Sequence, residues 1–200
     1  SECVGWRDNP QLHSLTEALF MQPSNAAKFH PSLVILHWLT LVLLVGVYAC
    51  IELRVQFPRG SDTRELLKYW HFILGLLVFG VTWLRLALRA MGNTPAITPT
   101  PPAWQTGLSR LTALLLYALM LALPILGYLL LNAADKPLLV FGIPLPMLVA
   151  PDKAYATQLK ELHECIATAG YFLIGLHALA AIYHHYLRRD DTLQRMTLKK

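Results

Sequence analysis

Four stretches of this 200-residue chain carry no Asp, Glu, Lys or Arg: residues 33–51, 69–84, 111–134 and 166–187. In an ordinary soluble domain about a quarter of residues are charged. Here 14% are, 17 basic against 12 acidic, while 55% are apolar. Low charge with high apolar content excludes a disordered chain. It also argues against a nucleic-acid binder despite the net charge of +5, because too little polar surface remains for a basic stripe. A bilayer core about 30 Å thick is crossed by roughly 20 apolar residues of helix. The second stretch is short, but Leu66, Leu67, Leu86 and Leu88 extend it past Lys68 and Arg85, whose long stems reach toward the headgroups. The expectation is an all-α integral membrane protein, a four-helix bundle running up-down-up-down. Helices of a soluble bundle would show a polar face, and these stretches show none.

Residues 1–30 stand apart as an N-terminal extension, and the membrane domain with its short tail spans residues 31–200. The segment before helix 1 is polar and unpatterned, without the apolar core of a secretory signal peptide, and Met21 offers an alternative start. Pro31 and Ser32 open helix 1, with proline where a helix start tolerates it. A polar loop over 52–64 contains the turn FPRGSD. Helix 2 is expected over about 65–90 and a proline-rich, extended linker over 92–103. Helix 3 is expected over about 104–132, with a kink at Pro124. Residues 135–157 are apolar, but their prolines, from Pro137 to Pro151, argue for a loop on or in the membrane surface. Helix 4 is expected over about 158–187, followed by the polar tail RRDDTLQRMTLKK.

The charges then set orientation. The N-terminus, the 2–3 linker and the C-terminal tail share one side, with ten basic and five acidic residues; the other side has seven of each. The positive-inside rule therefore places both termini in the cytoplasm.

Histidine within a bilayer is costly, which makes it a functional candidate. His13 and His30 precede helix 1 and read as solvated. His37 lies in helix 1, His71 in helix 2, and His163 and His177 in helix 4. The last two are 14 residues apart, which puts them on one helix face about 21 Å apart along the axis. From His37 to the outer boundary at Glu52 is 15 residues, and from Glu161 to His177 is 16. The depths match, so two pairs form at two levels: His71 with His163 outside, His37 with His177 inside. Each pair of facing neutral imidazoles supplies the two axial ligands a haem iron needs. Small residues, among them Ala167, Gly170 and Gly175 on helix 4 and Gly75 and Gly80 on helix 2, leave room for a macrocycle. No CxxCH occurs, which points to non-covalent b-type haem. Any one such histidine reads equally as an interhelical hydrogen-bonding group; the two matched depths favour the paired reading. Zinc needs its ligands around one point, and these divide between two levels. His184 lies nearly on the face of His177 but about 10 Å closer to the cytoplasm. It and His185 read as interfacial residues at a helix C-terminus.

The same residues carry a family resemblance. The segments LVILHW, LKYWHFILGLLVFGVTWLRL and HECIATAGYFLIGLHALAAIYHHYLRRDDTLQRM resemble the bacterial cytochrome b561 family over about residues 31–197. The resemblance implies four helices in the bacterial inner membrane that bind two b haems, with His37, His71, His163 and His177 at the ligand positions. Loop lengths and the Pro58-Arg59, Ser61-Asp62 segment are most similar to members that pass electrons from superoxide to ubiquinone.

The chain has no Gly-rich nucleotide loop and no cysteine cluster for iron–sulfur. Electron donor and acceptor are therefore small molecules or other proteins. Trp38 and Trp70, beside His37 and His71, either line a ubiquinone site or belong to an aromatic belt or the core. Arg54, Arg59, Arg64 and Lys68 lie on the outer side near the upper pair. They form a basic funnel for the superoxide anion, or they pair with haem propionates or lipid phosphates, and Glu52, Asp62 and Glu65 dilute them. The functional expectation is superoxide oxidation coupled to ubiquinone reduction. The alternatives are an electron-relay subunit serving a partner dehydrogenase or hydrogenase, and a membrane protein without cofactor. Cys50 and Cys165 fall near the outer face, either as a disulfide or as small apolar packing. Cys3 lies in the extension. Helix 3 has no histidine and reads as a wall.

Overall fold

The computed structural model describes residues 28–92, 95–140 and 142–198. The expectations for the extension, including the Met21 start, His13 and Cys3, fall mostly within residues 1–27, outside the described residues.

Helix α1 spans Pro31–Leu53, with Pro31 in the first turn and the His30 ring accepting from the Ser32 amide. It tightens into a 3-10 turn at Arg54–Gln56. Helix α2 spans Asp62–Met91, α3 spans Ala103–Ala133 and remains helical through Pro124, and α4 spans Lys153–Tyr183. All four are long and apolar enough to cross a membrane. Their outward faces carry large apolar side chains, such as Val42 at 67% exposure and Phe172 at 76%. An apolar face this extensive suits lipid and not water.

Two boundaries differ from the expected ones, and caps explain both. Helix α2 begins at Asp62 because Ser61 Oγ accepts from the Arg64 amide, with Asp62 and Glu65 in the first turn favouring the positive helix end. Helix α4 begins at Lys153, not near 158, because the Asp152 carboxylate accepts from the amides of Ala154 (2.8 Å) and Tyr155 (3.1 Å). The stretch read as one loop over 135–157 therefore ends at residue 152. Within it, β1 (Leu139–Val140) and β2 (Ile143–Pro144) form a small antiparallel hairpin, with Gly142 at φ 84° in its turn. Buried Asn132 ties this loop to the end of α3. Its amide donates to the Tyr128 carbonyl at 3.1 Å, and its oxygen accepts from the Leu148 amide at 2.6 Å. The Tyr128 hydroxyl donates to the Pro146 carbonyl.

Helices α1 and α2 pack along their lengths, as do α3 and α4, and α2 meets α3. The core where the hairpins meet holds Val78, Leu119 and Met120, flanked by Leu43, Leu44 and Ile166. A second cluster, Ala133, Ala156 and Leu159, closes the end that carries the 1–2 and 3–4 loops, here the loop end. Gly170 lets α4 approach its neighbours. A Cβ there would meet the Tyr48 hydroxyl at 2.5 Å and Leu119 at 2.8 Å. The space expected for a macrocycle at Gly170 is thus filled by Tyr48, whose hydroxyl donates to the Ala167 carbonyl at 2.9 Å.

At the opposite end, here the tail end, α4 continues as a π-helical turn, His184–Arg188, and then breaks at Arg189 with φ 53°. The tail read as merely polar folds back on the bundle instead. Asp190, Asp191 and Arg195 are all buried. The Asp191 carboxylate accepts from the Thr98 amide in the 2–3 linker at 3.0 Å. Arg195 donates to the Pro95 carbonyl, and its guanidinium lies 5.0 Å over the Phe29 ring. Trp38 Nε1 donates to the Met196 carbonyl at 3.0 Å.

Candidate functional site

The structure brings four histidines together in two pairs. His37 of α1 faces His177 of α4 at the tail end, with ring centroids 6.2 Å apart and ring planes at 66°. His71 of α2 faces His163 of α4 at the loop end, again at 6.2 Å, with planes at 65°. A metal held between two imidazole nitrogens at about 2 Å each separates the ring centres by about 6 Å. Both gaps match that spacing. Among the described residues no three His, Cys, Asp or Glu side chains converge as a metal site.

The loop-end pair lies in a cavity of about 380 Å³, walled by all four helices. That is the size range of cofactor and ligand pockets. Gly75 and Ala167 line it, and so do Gly127 and Pro124 of α3. A Cβ on Gly127 would sit 3.4 Å from His163 Cε1, in van der Waals contact with that ring. His71 Nδ1 lies 3.0 Å from the Val47 carbonyl oxygen. The oxygen can only accept, so Nδ1 carries the proton and Nε2 is left free to bind a metal.

The tail-end pair has a different neighbour. Arg85 of α2 places Nη2 3.1 Å from His37 Nδ1 and Nη1 3.4 Å from the Thr40 hydroxyl, with its guanidinium 5.7 Å over the ring of Tyr117. Arg85 had the reading of a membrane-boundary charge. The spacing from His37, 48 residues away, gives no hint that the two meet. Gly127 was equally hidden, since α3 carries no histidine to flag it.

The four basic residues expected to form the outer funnel divide. Arg54 lines the cavity, together with Glu52 and Glu164. Arg64 Nη1 donates to the carbonyls of Arg54 (2.9 Å) and Phe57 (2.8 Å), which holds the turn after α1 in place. Lys68 pairs with Glu65 at 2.6 Å on the surface. Arg59 is exposed in the 1–2 loop. Trp38 lies 5.5 Å from His37, ring centre to ring centre, and its indole N–H holds the tail. Trp70 is exposed and packs edge-on to Tyr69; neither tryptophan lines the cavity. Cys50 and Cys165 are free thiols, so the disulfide alternative is not formed. His184 Nδ1 donates to the Asp190 carboxylate at 2.5 Å, which commits it to the tail and away from His37.

Residues 28–199 match the family described as Prokaryotic cytochrome b561. The chain is 38% identical over 169 residues to "Cytochrome b561 homolog 1" of Escherichia coli strain K12, covering 84% of this chain and 96% of that protein. It is 36% identical over 165 residues to "Probable superoxide oxidase CybB" of Yersinia pestis, covering 82% of this chain and 93% of that protein. The family implies b-type haem, and four spanning helices make this a multi-pass membrane protein. With its paired imidazoles inside an apolar bundle, the chain belongs to the prokaryotic cytochrome b561 family and is a membrane cytochrome b with an electron-transfer role.

Proposed function

We propose that the chain is a superoxide:ubiquinone oxidoreductase of the bacterial inner membrane with both termini in the cytoplasm. The observation that carries the reading is the pair of equal imidazole gaps at opposite ends of one apolar bundle. The Yersinia pestis relative, a probable superoxide oxidase by name, supports the choice of substrate. His71 and His163 hold one b-type haem and His37 and His177 the second. When bound, the haems supply one-electron transfer between the two ends.

The residues of the chain do the rest. Val47 fixes the His71 tautomer through its carbonyl. Arg54, at the cavity, carries the positive charge that draws a small anion inward, while Arg64 and Lys68 add to the loop-end potential from positions held by their own partners. Two superoxide anions each give up one electron and leave as dioxygen. Ubiquinone takes both electrons with two protons to become ubiquinol. Trp38 and Trp70, exposed beside the two levels, offer aromatic faces to a quinone headgroup arriving from the lipid.

Stopped-flow mixing of the purified, haem-loaded protein with superoxide and a soluble ubiquinone tests this. Superoxide decay faster than spontaneous dismutation, with stoichiometric ubiquinol, is expected. Decay at the spontaneous rate, with haems that a partner protein still reduces, would leave the electron-relay role.

A further inference from the structure

We propose that Tyr171 is a positioning residue of the loop-end cavity: its hydroxyl holds the Glu52 carboxylate and so keeps the Arg54 guanidinium open to an incoming superoxide anion. This rests on superoxide as the electron donor and adds how the chain keeps an anion site beside two acids.

Three charged side chains line the cavity that holds His71 and His163: Glu52, Glu164 and Arg54. Two acids beside one base would cancel the charge that attracts an anion. Each acid has a partner elsewhere. Glu164 pairs with Lys160 of its own helix at 3.0 Å. Glu52 accepts a hydrogen bond of 2.8 Å from the Tyr171 hydroxyl of α4.

Arg54 keeps its terminal donors. Its Nε donates to the Ile51 carbonyl at 3.3 Å, and its own carbonyl accepts from Arg64 at 2.9 Å. Among the described residues no carboxylate lies within 4 Å of the guanidinium, and neither Nη has a hydrogen-bond partner.

Packing aims the Tyr171 hydroxyl at α1. Its ring lies against that of Tyr48, with centroids 4.3 Å apart, and the Tyr48 hydroxyl is committed to the Ala167 carbonyl at 2.9 Å. Tyr171 lies eight residues beyond His163 on α4, about 12 Å further along the helix. Its hydrogen bond therefore draws the Glu52 carboxylate back along α1, whereas Arg54 lies past the end of that helix. A hydroxyl that donates to a carboxylate makes a charge-assisted hydrogen bond, strong enough to fix a side chain. Without it the acid shares one cavity with an unpartnered guanidinium. Pairing between the two would occupy the Nη donors as well as cancel their charge.

Stopped-flow measurement of superoxide consumption by the purified, haem-loaded chain, with a soluble ubiquinone as acceptor and rates expressed per haem, tests the proposal. Tyr171→Phe keeps the ring against Tyr48 and removes the hydroxyl. Its rate is expected to fall at least about twofold at low ionic strength, with a shallower salt dependence. Glu52→Gln leaves Tyr171 an oxygen to donate to and removes the charge, so it is expected to raise the rate. In the Glu52→Gln background Tyr171→Phe is expected to have no effect, because no acid is left to reach Arg54. A purely structural hydroxyl would slow both backgrounds alike. An unchanged rate in Tyr171→Phe, or an equal loss in both backgrounds, overturns the proposal and leaves superoxide oxidation in place. Superoxide decay at the spontaneous rate with the unaltered chain overturns the choice of donor, and the proposal with it.

Discussion

The loop end and the tail end of the bundle hold the same 6.2 Å imidazole gap in opposite settings. At the tail end the chain closes over itself. Asp191 holds the 2–3 linker, Arg195 caps Phe29 and Pro95, Asp190 holds His184, and Met196 holds Trp38. At the loop end a cavity of about 380 Å³ opens between the helices, with charged side chains among its lining. Contacts at the tail end join segments far apart along the chain, so they contribute cohesion. At the loop end Glu164 pairs with Lys160 and Glu52 accepts from Tyr171, while Arg54 lines the cavity. The difference separates an end where the tail is tied to the bundle, with His177 still exposed, from an end where a cavity opens beside the imidazole pair.

The largest effect expected from breaking this comparison is loss of one level alone. His71→Ala or His163→Ala removes the loop-end haem and keeps the tail-end one, so the b-type absorbance per protein falls to roughly half. His37→Ala or His177→Ala does the reverse. Retention of both haems in these variants would refute the pairing. Next in size is the tail. Asp191→Ala leaves the Thr98 amide without its acceptor, at a cost of about 1–3 kcal/mol. The Tm of the detergent-solubilised chain is expected to fall while the loop-end haem stays. An unchanged Tm would show that the tail does not close the bundle.

A smaller effect depends on acid. Burial pushes the Asp190 carboxyl up, but hydrogen bonds from His184 and Thr192 outweigh it and hold it below the ordinary 3.8. A carboxyl lowered on folding stabilises the fold above its unfolded value, and that contribution is lost as pH falls through the folded value. The tail contact is therefore at full strength at neutral pH and fades below about pH 4. A Tm profile against pH should drop less steeply there in Asp190→Asn than in the unaltered chain. The smallest effect separates the cations of the loop end. Lys68→Ala breaks an exposed pair that contributes little, and it should slow superoxide consumption less than Arg54→Ala. Both losses should shrink at about 0.15 M salt, where charges are screened beyond about 8 Å. Equal losses would show a steering field spread over the whole loop-end surface.

The four spans were legible because absence of charge over a bilayer's thickness has few other solutions. The meeting of His71 with His163 and of His37 with His177 was legible too, because helical rise converts residue counts into depth. Local capping leaves no trace in hydropathy, yet Asp152 marks the start of α4 and Ser61 that of α2. Arg85 at His37 and Asp191 at Thr98 were not legible. Each joins residues far apart along the chain, and an arginine near a span end or an aspartate in a polar tail has an adequate solvated explanation. Gly170 was read as space, yet only the packed bundle shows that Tyr48 fills it.

Helix α4 contributes one histidine to each level without a break in its α-helical turns between them. That continuity makes the segment between His163 and His177 a ruler of fixed length. One residue inserted or deleted there would swing one imidazole about 100° away from its partner and shift it by about 1.5 Å. A change in the hairpin loop before Asp152 carries no such penalty, since both histidines lie beyond it on the same rod. Length variation is therefore tolerable in the loops and costly within α4, and a chain of this kind can be re-looped far more freely than it can be re-spaced.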